Sequence, residues 1–131
     1  MRLIAGVFLI IIAGAIGTFG QSQKVKDKIA ADIRALMDKQ VAAWNAGDID
    51  GFMNGYWRSE KLVFISGDKV TRGWQPTLDN YKKGYDSRAK MGVLTFSDVE
   101  VSVLSDDAAV VLGSWVLARE KDNPHRSRVH P

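Results

Sequence analysis

One stretch limits the choice of fold more than any other. From Ala108 to Arg119 nearly every residue is apolar, with Gly113 and Trp115 in the middle. A strand apolar on both faces needs cover above and below, and it normally lies in the middle of a sheet with a neighbour along each side. The segment before it, Val93 to Leu104, reads as a second long strand: Leu94, Phe96, Val99, Val101 and Val103 alternate with polar residues. The alternation changes phase near Ser97-Asp98, which predicts a bulge or bend. Ser105-Asp106-Asp107 supplies the turn between the two strands.

The helical segments lie upstream. Between Lys24 and Ala46 the residues Val25, Ile29, Ile33, Leu36, Met37, Val41 and Trp44 recur at three- and four-residue intervals, which predicts a long amphipathic helix. Gly47 stops it, and Asp48 stands where the N-cap of a second short helix belongs, predicted over Ile49 to Trp57. Leu62 to Ile65 and Lys69 to Arg72 read as a hairpin turned at Ser66-Gly67-Asp68. After Gly73-Trp74, Pro76 suits the first turn of a third helix, predicted to run to about Lys90 and to end at Gly92. The class is therefore α+β.

The N-terminus follows another logic. Met1-Arg2 is a short positive start, Leu3 to Phe19 is apolar apart from small residues, and Thr18-Phe19-Gly20 has small side chains where a signal peptidase reads. We expect residues 1–20 to be a cleaved signal peptide, with Gln21 as the new N-terminus and an exported chain, periplasmic or secreted. Contact with a membrane is then expected only through an uncleaved leader. The apolar run is slightly shorter than the roughly 20 residues of a spanning helix.

Composition removes whole classes of function. There is no cysteine, hence no disulfide, thiol nucleophile or cysteine metal site. The net charge is +3, but Lys and Arg are interleaved with Asp and Glu rather than gathered in the stripe that nucleic acid requires. The two histidines, His125 and His130, lie in the tail, so no histidine triad exists in the domain and no metal site is expected. No phosphate-cradling glycine loop is present, and no cofactor is expected.

The element order resembles the nuclear transport factor 2-like superfamily, in particular the SnoaL-like and ketosteroid-isomerase-like domains of unknown function in exported bacterial proteins. The residues that carry the resemblance are Trp44-Asn45-Ala46-Gly47-Asp48, Phe52, Tyr56-Trp57, Phe64 to Gly67, Arg72-Gly73-Trp74, Tyr81, Tyr85, Leu94 to Phe96, and Ala108 to Trp115. The likeness as a pattern covers roughly residues 24–124 of an expected domain 21–124, and its motifs specify fold rather than reaction. The resemblance implies three helices packed on a curved, mostly antiparallel sheet, a cone with an apolar pocket inside, and pairing of two copies through their sheets as a homodimer. Family members continue with two further strands carrying Gly-x-Phe-Thr and Gly-Trp-x-Ile patterns. Residues 125–131, Arg126-Ser127-Arg128 among them, carry neither pattern and read as an irregular tail. The expectation is a sheet without its last strands, as from a premature end or a shifted reading frame, and a central strand left at a raw edge.

Candidate ligand-binding residues are Tyr56, Arg72, Trp74, Tyr81, Tyr85 and Trp115. The aromatic residues suit a small apolar or aromatic molecule, and an Arg and a Trp at a strand-to-helix junction could rim a pocket mouth. Trp74 and the tyrosines also suit plain core packing, with each polar atom finding one partner. By resemblance, a cofactor-free isomerase, dehydratase or cyclase would use a carboxylate with a tyrosine. Asp98 is a candidate for that carboxylate, though a bend residue facing water accounts for it better. Three functions stay open at this point: ligand binding, carboxylate–tyrosine catalysis, and protein association, which the same fold serves in kinase assemblies.

Overall fold

The computed structural model describes residues 4–11 and 23–120, the first of these stretches by its backbone. The elements run β1 (Ile4–Ile11), α1 (Gln23–Asn45), α2 (Ile49–Met53), β2 (Val63–Ser66), β3 (Lys69–Arg72), α3 (Trp74–Gly84), α4 (Arg88–Met91), β4 (Val93–Ser105) and β5 (Ala108–Ala118). The arrangement is α+β, with two antiparallel sheets: β1-β5-β4 and the separate hairpin β2-β3.

The α1 stripe does what its spacing requires. Ile33, Met37 and Trp44 are buried, the first two against Ala109 and Val111 of β5. Val25, at the start of the stripe, is 43% exposed. Gln40 is buried within the same stripe, and its side-chain amide donates to the Phe52 carbonyl at 3.2 Å.

That bond helps explain why α2 stops at Met53 and not at Trp57, as the apolar spacing had predicted. The Phe52 carbonyl accepts from Gln40 and, in a three-residue turn, from the Gly55 N–H, and Gly55 lies so close to the Gln40 side chain that a Cβ there would overlap it. The chain turns away, Tyr56 leaves the helix, and Trp57 is 46% exposed. The start of α2 is as expected, with the Asp48 carboxylate accepting the Gly51 N–H at 2.8 Å.

The third helix is also shorter than its pattern. It ends at Gly84, and Tyr85 takes a non-helical conformation. A fourth helix of one turn begins after Ser87, whose hydroxyl accepts from the Lys90 N–H. Gly92 then turns into β4 with φ of 64°, and a Cβ there would lie 2.6 Å from the Ala118 carbonyl oxygen. Only glycine suits both conditions.

The bend predicted in β4 is present: its register against β5 shifts between Ser97 and Glu100, and Asp98 takes φ of 53°. The outer edge of β4 is partly closed by α1. Asn45 donates to the Leu94 carbonyl at 3.1 Å and accepts the Leu94 N–H at 2.8 Å, while Arg34 donates to the Val99 carbonyl at 2.8 Å.

The expected raw edge of β5 is not found. Ile4–Ile11 runs antiparallel along it, from Ile4 opposite Trp115 to Ile11 opposite Ala108. β5 thus has the two neighbours its composition demands, one of them drawn from the segment read as a leader. The expected cleavage site, Thr18 to Gln21, lies outside the described residues, as does the tail with His125 and His130.

Candidate functional site

The largest core cluster is built from Trp44, Ile49, Phe52, Met53, Leu62, Trp74, Leu78, Met91 and Leu94. Against it stands a wall of aromatic side chains. Trp44 meets Phe52, Tyr81 and Tyr85 edge-on at centroid distances of 5.1, 5.9 and 4.9 Å. Phe52 touches Tyr56 and Tyr81, and Phe64 of β2 closes the ring of contacts at 6.0 Å from Tyr56 and 5.6 Å from Tyr81. Tyr81 and Tyr85 stack at 5.8 Å. Edge-on and offset pairs of this kind each add to what burial alone provides.

Local structure explains the convergence. Tyr56 reaches the wall because α2 has ended, and Tyr85 because α3 has. Phe64 alternates with Val63 and Ile65, so it alone of the three turns inward, and both of its neighbours are exposed. Tyr56, Phe64, Tyr81, Tyr85 and Trp115 are all half-buried rather than sealed in the core.

Two polar groups are set in this apolar wall. Burial pushes the Tyr56 phenol from 10.0 up to about 12, while a hydrogen bond with Tyr81 pulls the other way. Burial also holds the Tyr81 phenol well above 10.0, reinforced by the nearby Tyr56 and Tyr85 phenols and by the same bond. The two rings stand on either side of Phe52 and Phe64, each in contact with both. With both phenols raised, the pair is neutral at any physiological pH, and the Tyr56 proton can be offered to a ligand oxygen.

The other expected site residues sit differently. Trp74 is buried at the start of α3, its indole N–H donating to the Met53 carbonyl at 2.9 Å. The cation over its ring is Arg58, at 4.2 Å, not the neighbouring Arg72. Arg72 is exposed at the end of β3. Trp115 packs on the main core cluster from β5, opposite Phe96. Asp98 is exposed at the bulge. Residue types alone did not single out Phe52, Phe64 or Trp44 as parts of the wall. The strand alternation around Phe64 was the one signal that could have placed it there.

A separate recess lies between α1 and β4. It is an open groove of about 590 Å³, with Met37, Val41, Leu94 and Phe96 along its floor and Arg34 and Asp38 on its rim. Among the described residues, no carboxylate is buried and no group of three or more acidic or histidine side chains could hold a metal ion. No helix among them is long and apolar enough to cross a membrane.

No family model matches the sequence, and no curated protein does. Among solved structures, the chain is similar to an NTF-2-like protein of unknown function from Shewanella oneidensis MR-1. The two are 45% identical, the match covers 72% of this chain and 78% of that one, and the TM-score is 0.68. At that identity and coverage, with the helices and antiparallel sheets already described, the chain belongs to the NTF-2-like family.

Proposed function

We propose that this protein binds a small, largely apolar molecule against the half-buried aromatic wall, with the Tyr56–Tyr81 hydroxyl pair as the polar contact. The observation that carries the reading is the pair itself. Two phenols that share the Phe52 and Phe64 ring faces and are buried enough to hold their protons offer a neutral donor beside aromatic faces, which suits a flat ligand bearing one carbonyl or hydroxyl oxygen. Tyr85 and Phe64 supply ring faces beside it. Arg72 and Trp74 have no part in this contact.

A hydrogen-bond donor of this kind also serves catalysis, where it stabilises a developing oxyanion. Isomerase or dehydratase chemistry additionally needs a carboxylate base at the same site. The absence of a buried carboxylate among the described residues supports binding over that chemistry. Association has one observation in its favour: Val63, Ile65 and Val70 leave the outer face of the hairpin apolar and exposed. Export, to the periplasm or outside the cell, rests on the composition of residues 1–20 and belongs to the same proposal.

The test uses tryptophan fluorescence with two probes, 2-acetylnaphthalene and naphthalene. The ketone should bind more tightly than the hydrocarbon, and Tyr56→Phe should remove most of the difference, about five- to tenfold for one hydrogen bond. If neither probe quenches the fluorescence saturably, or if Tyr56→Phe weakens both equally, the tyrosine pair is not a ligand contact.

A further inference from the structure

We propose that the outer edge of β5 is a strand-acceptor site filled by the chain's own Ile4–Ile11. The N-terminal apolar run then has two competing destinations, this edge and the export machinery. Three observations converge on this. First, the sheet has two outer sides, and they are treated differently. The free side of β4 is bridged by α1 side chains, Asn45 on both backbone groups of Leu94 and Arg34 on the Val99 carbonyl. The free side of β5 is met by another strand instead.

Second, the pairing is regular. Eight successive pairs, from Ile4 opposite Trp115 to Ile11 opposite Ala108, keep one antiparallel register, whereas β4 against β5 shifts twice. Third, the composition of both partners fits. Ile4–Ile11 carries no charge and no proline, and neither does Ala108–Ala118, so neither strand has the residues that usually block edge pairing. Membrane insertion of the leader and strand pairing draw on the same apolar residues and exclude one another. A chain that keeps Ile4–Ile11 has a covered β5, and a chain cut after Gly20 has an edge open to another strand.

The experiment uses the full chain, which has no cysteine of its own. Residues directly opposite in antiparallel strands have Cα atoms about 4.5–5.5 Å apart, within disulfide reach. The double variant Ala5→Cys with Ser114→Cys should therefore close within one chain on mild oxidation. The offset pair Ala5→Cys with Leu112→Cys should close at least tenfold more slowly. In the unmodified chain, hydrogen exchange at the alternate amides of Ile4–Ile11 that pair with β5 should be slowed to the same degree as at Ala108–Ala118, which keeps the proposal testable if the variants do not fold.

A protease site placed within residues 12–22 then permits cutting of the folded chain. Retention of the N-terminal fragment through gel filtration supports the proposal, and so does its loss together with at least tenfold faster exchange in β5. The proposal is overturned if none of the Ile4–Ile11 amides is protected. Cross-links formed only between chains would overturn it by placing a second copy on the edge. Loss of the fragment with β5 exchange unchanged would overturn it as well.

Discussion

At the scale of single residues, the two coupled tyrosines govern most of what can be measured. Their phenols hold protons more tightly in the folded chain than in the unfolded one, where the ordinary value of 10.0 applies. Stability should be level below about pH 10 and fall as the unfolded chain ionises. For Tyr56 the loss should be complete a little above its folded value of about 12. The Tyr56 contribution to that loss is roughly 3 kcal/mol. Urea midpoints at pH 9 and pH 11 check this: the wild type should lose stability between them, and the Tyr56→Phe, Tyr81→Phe double variant should lose clearly less. An equal loss in both proteins would mean that the phenols are solvated.

Among elements, the join between α1 and β4 is the most exposed to a single change. Asn45 satisfies both the N–H and the carbonyl of Leu94, a buried residue on a strand with no further strand beyond it among the described residues. Asn45→Ala removes both partners at once. We expect a cost of about 2–4 kcal/mol, larger than an ordinary surface substitution, because unpaired buried backbone groups bear their full desolvation penalty. Denaturant unfolding measures it, and a cost below 0.5 kcal/mol would show that water replaces the amide freely. The capping bond from Asp48 should behave more modestly. Asp48→Ala should cost about 1 kcal/mol without altering the rest of the fold, as seen in thermal unfolding.

For the whole molecule, the unanswered demand is apolar surface. The hairpin β2-β3 is not hydrogen-bonded to the larger sheet, and its outer face shows Val63, Ile65 and Val70, with Ile65 65% exposed. Exposed apolar area gathered on one face favours self-association. This is the surface through which we expect a homodimer, or less specific aggregation, to form. Ile65→Lys should leave the unfolding midpoint nearly unchanged, within about 0.5 kcal/mol, because the side chain packs little in the single chain. It should also shift sedimentation toward monomer at high concentration. A monomer at all concentrations in both proteins would remove the association reading.

The sequence by itself determined what rests on local periodicity and on backbone chemistry. The amphipathic α1, the corner at Gly47-Asp48, the Lys69–Arg72 strand, the bulge near Asp98 and the α+β class follow from spacing, capping and φ preference, and they are present as expected. The NTF-2-like identity was legible in the same pattern. Tertiary structure decided the rest, because those features depend on competition between distant groups. α2 gives way after Met53 to tight turns, in which the Phe52 carbonyl accepts both the Gly55 N–H and the amide of Gln40 from another helix. Tyr56, Phe64, Tyr81 and Tyr85 form one wall because two helices stop and one strand turns Phe64 inward, events separated along the chain. The partner of β5 was least legible of all. Its two-sided apolarity stated that a second neighbour was needed, but strand pairing is a long-range choice among available edges. Only the folded chain shows Ile4–Ile11 taking that place.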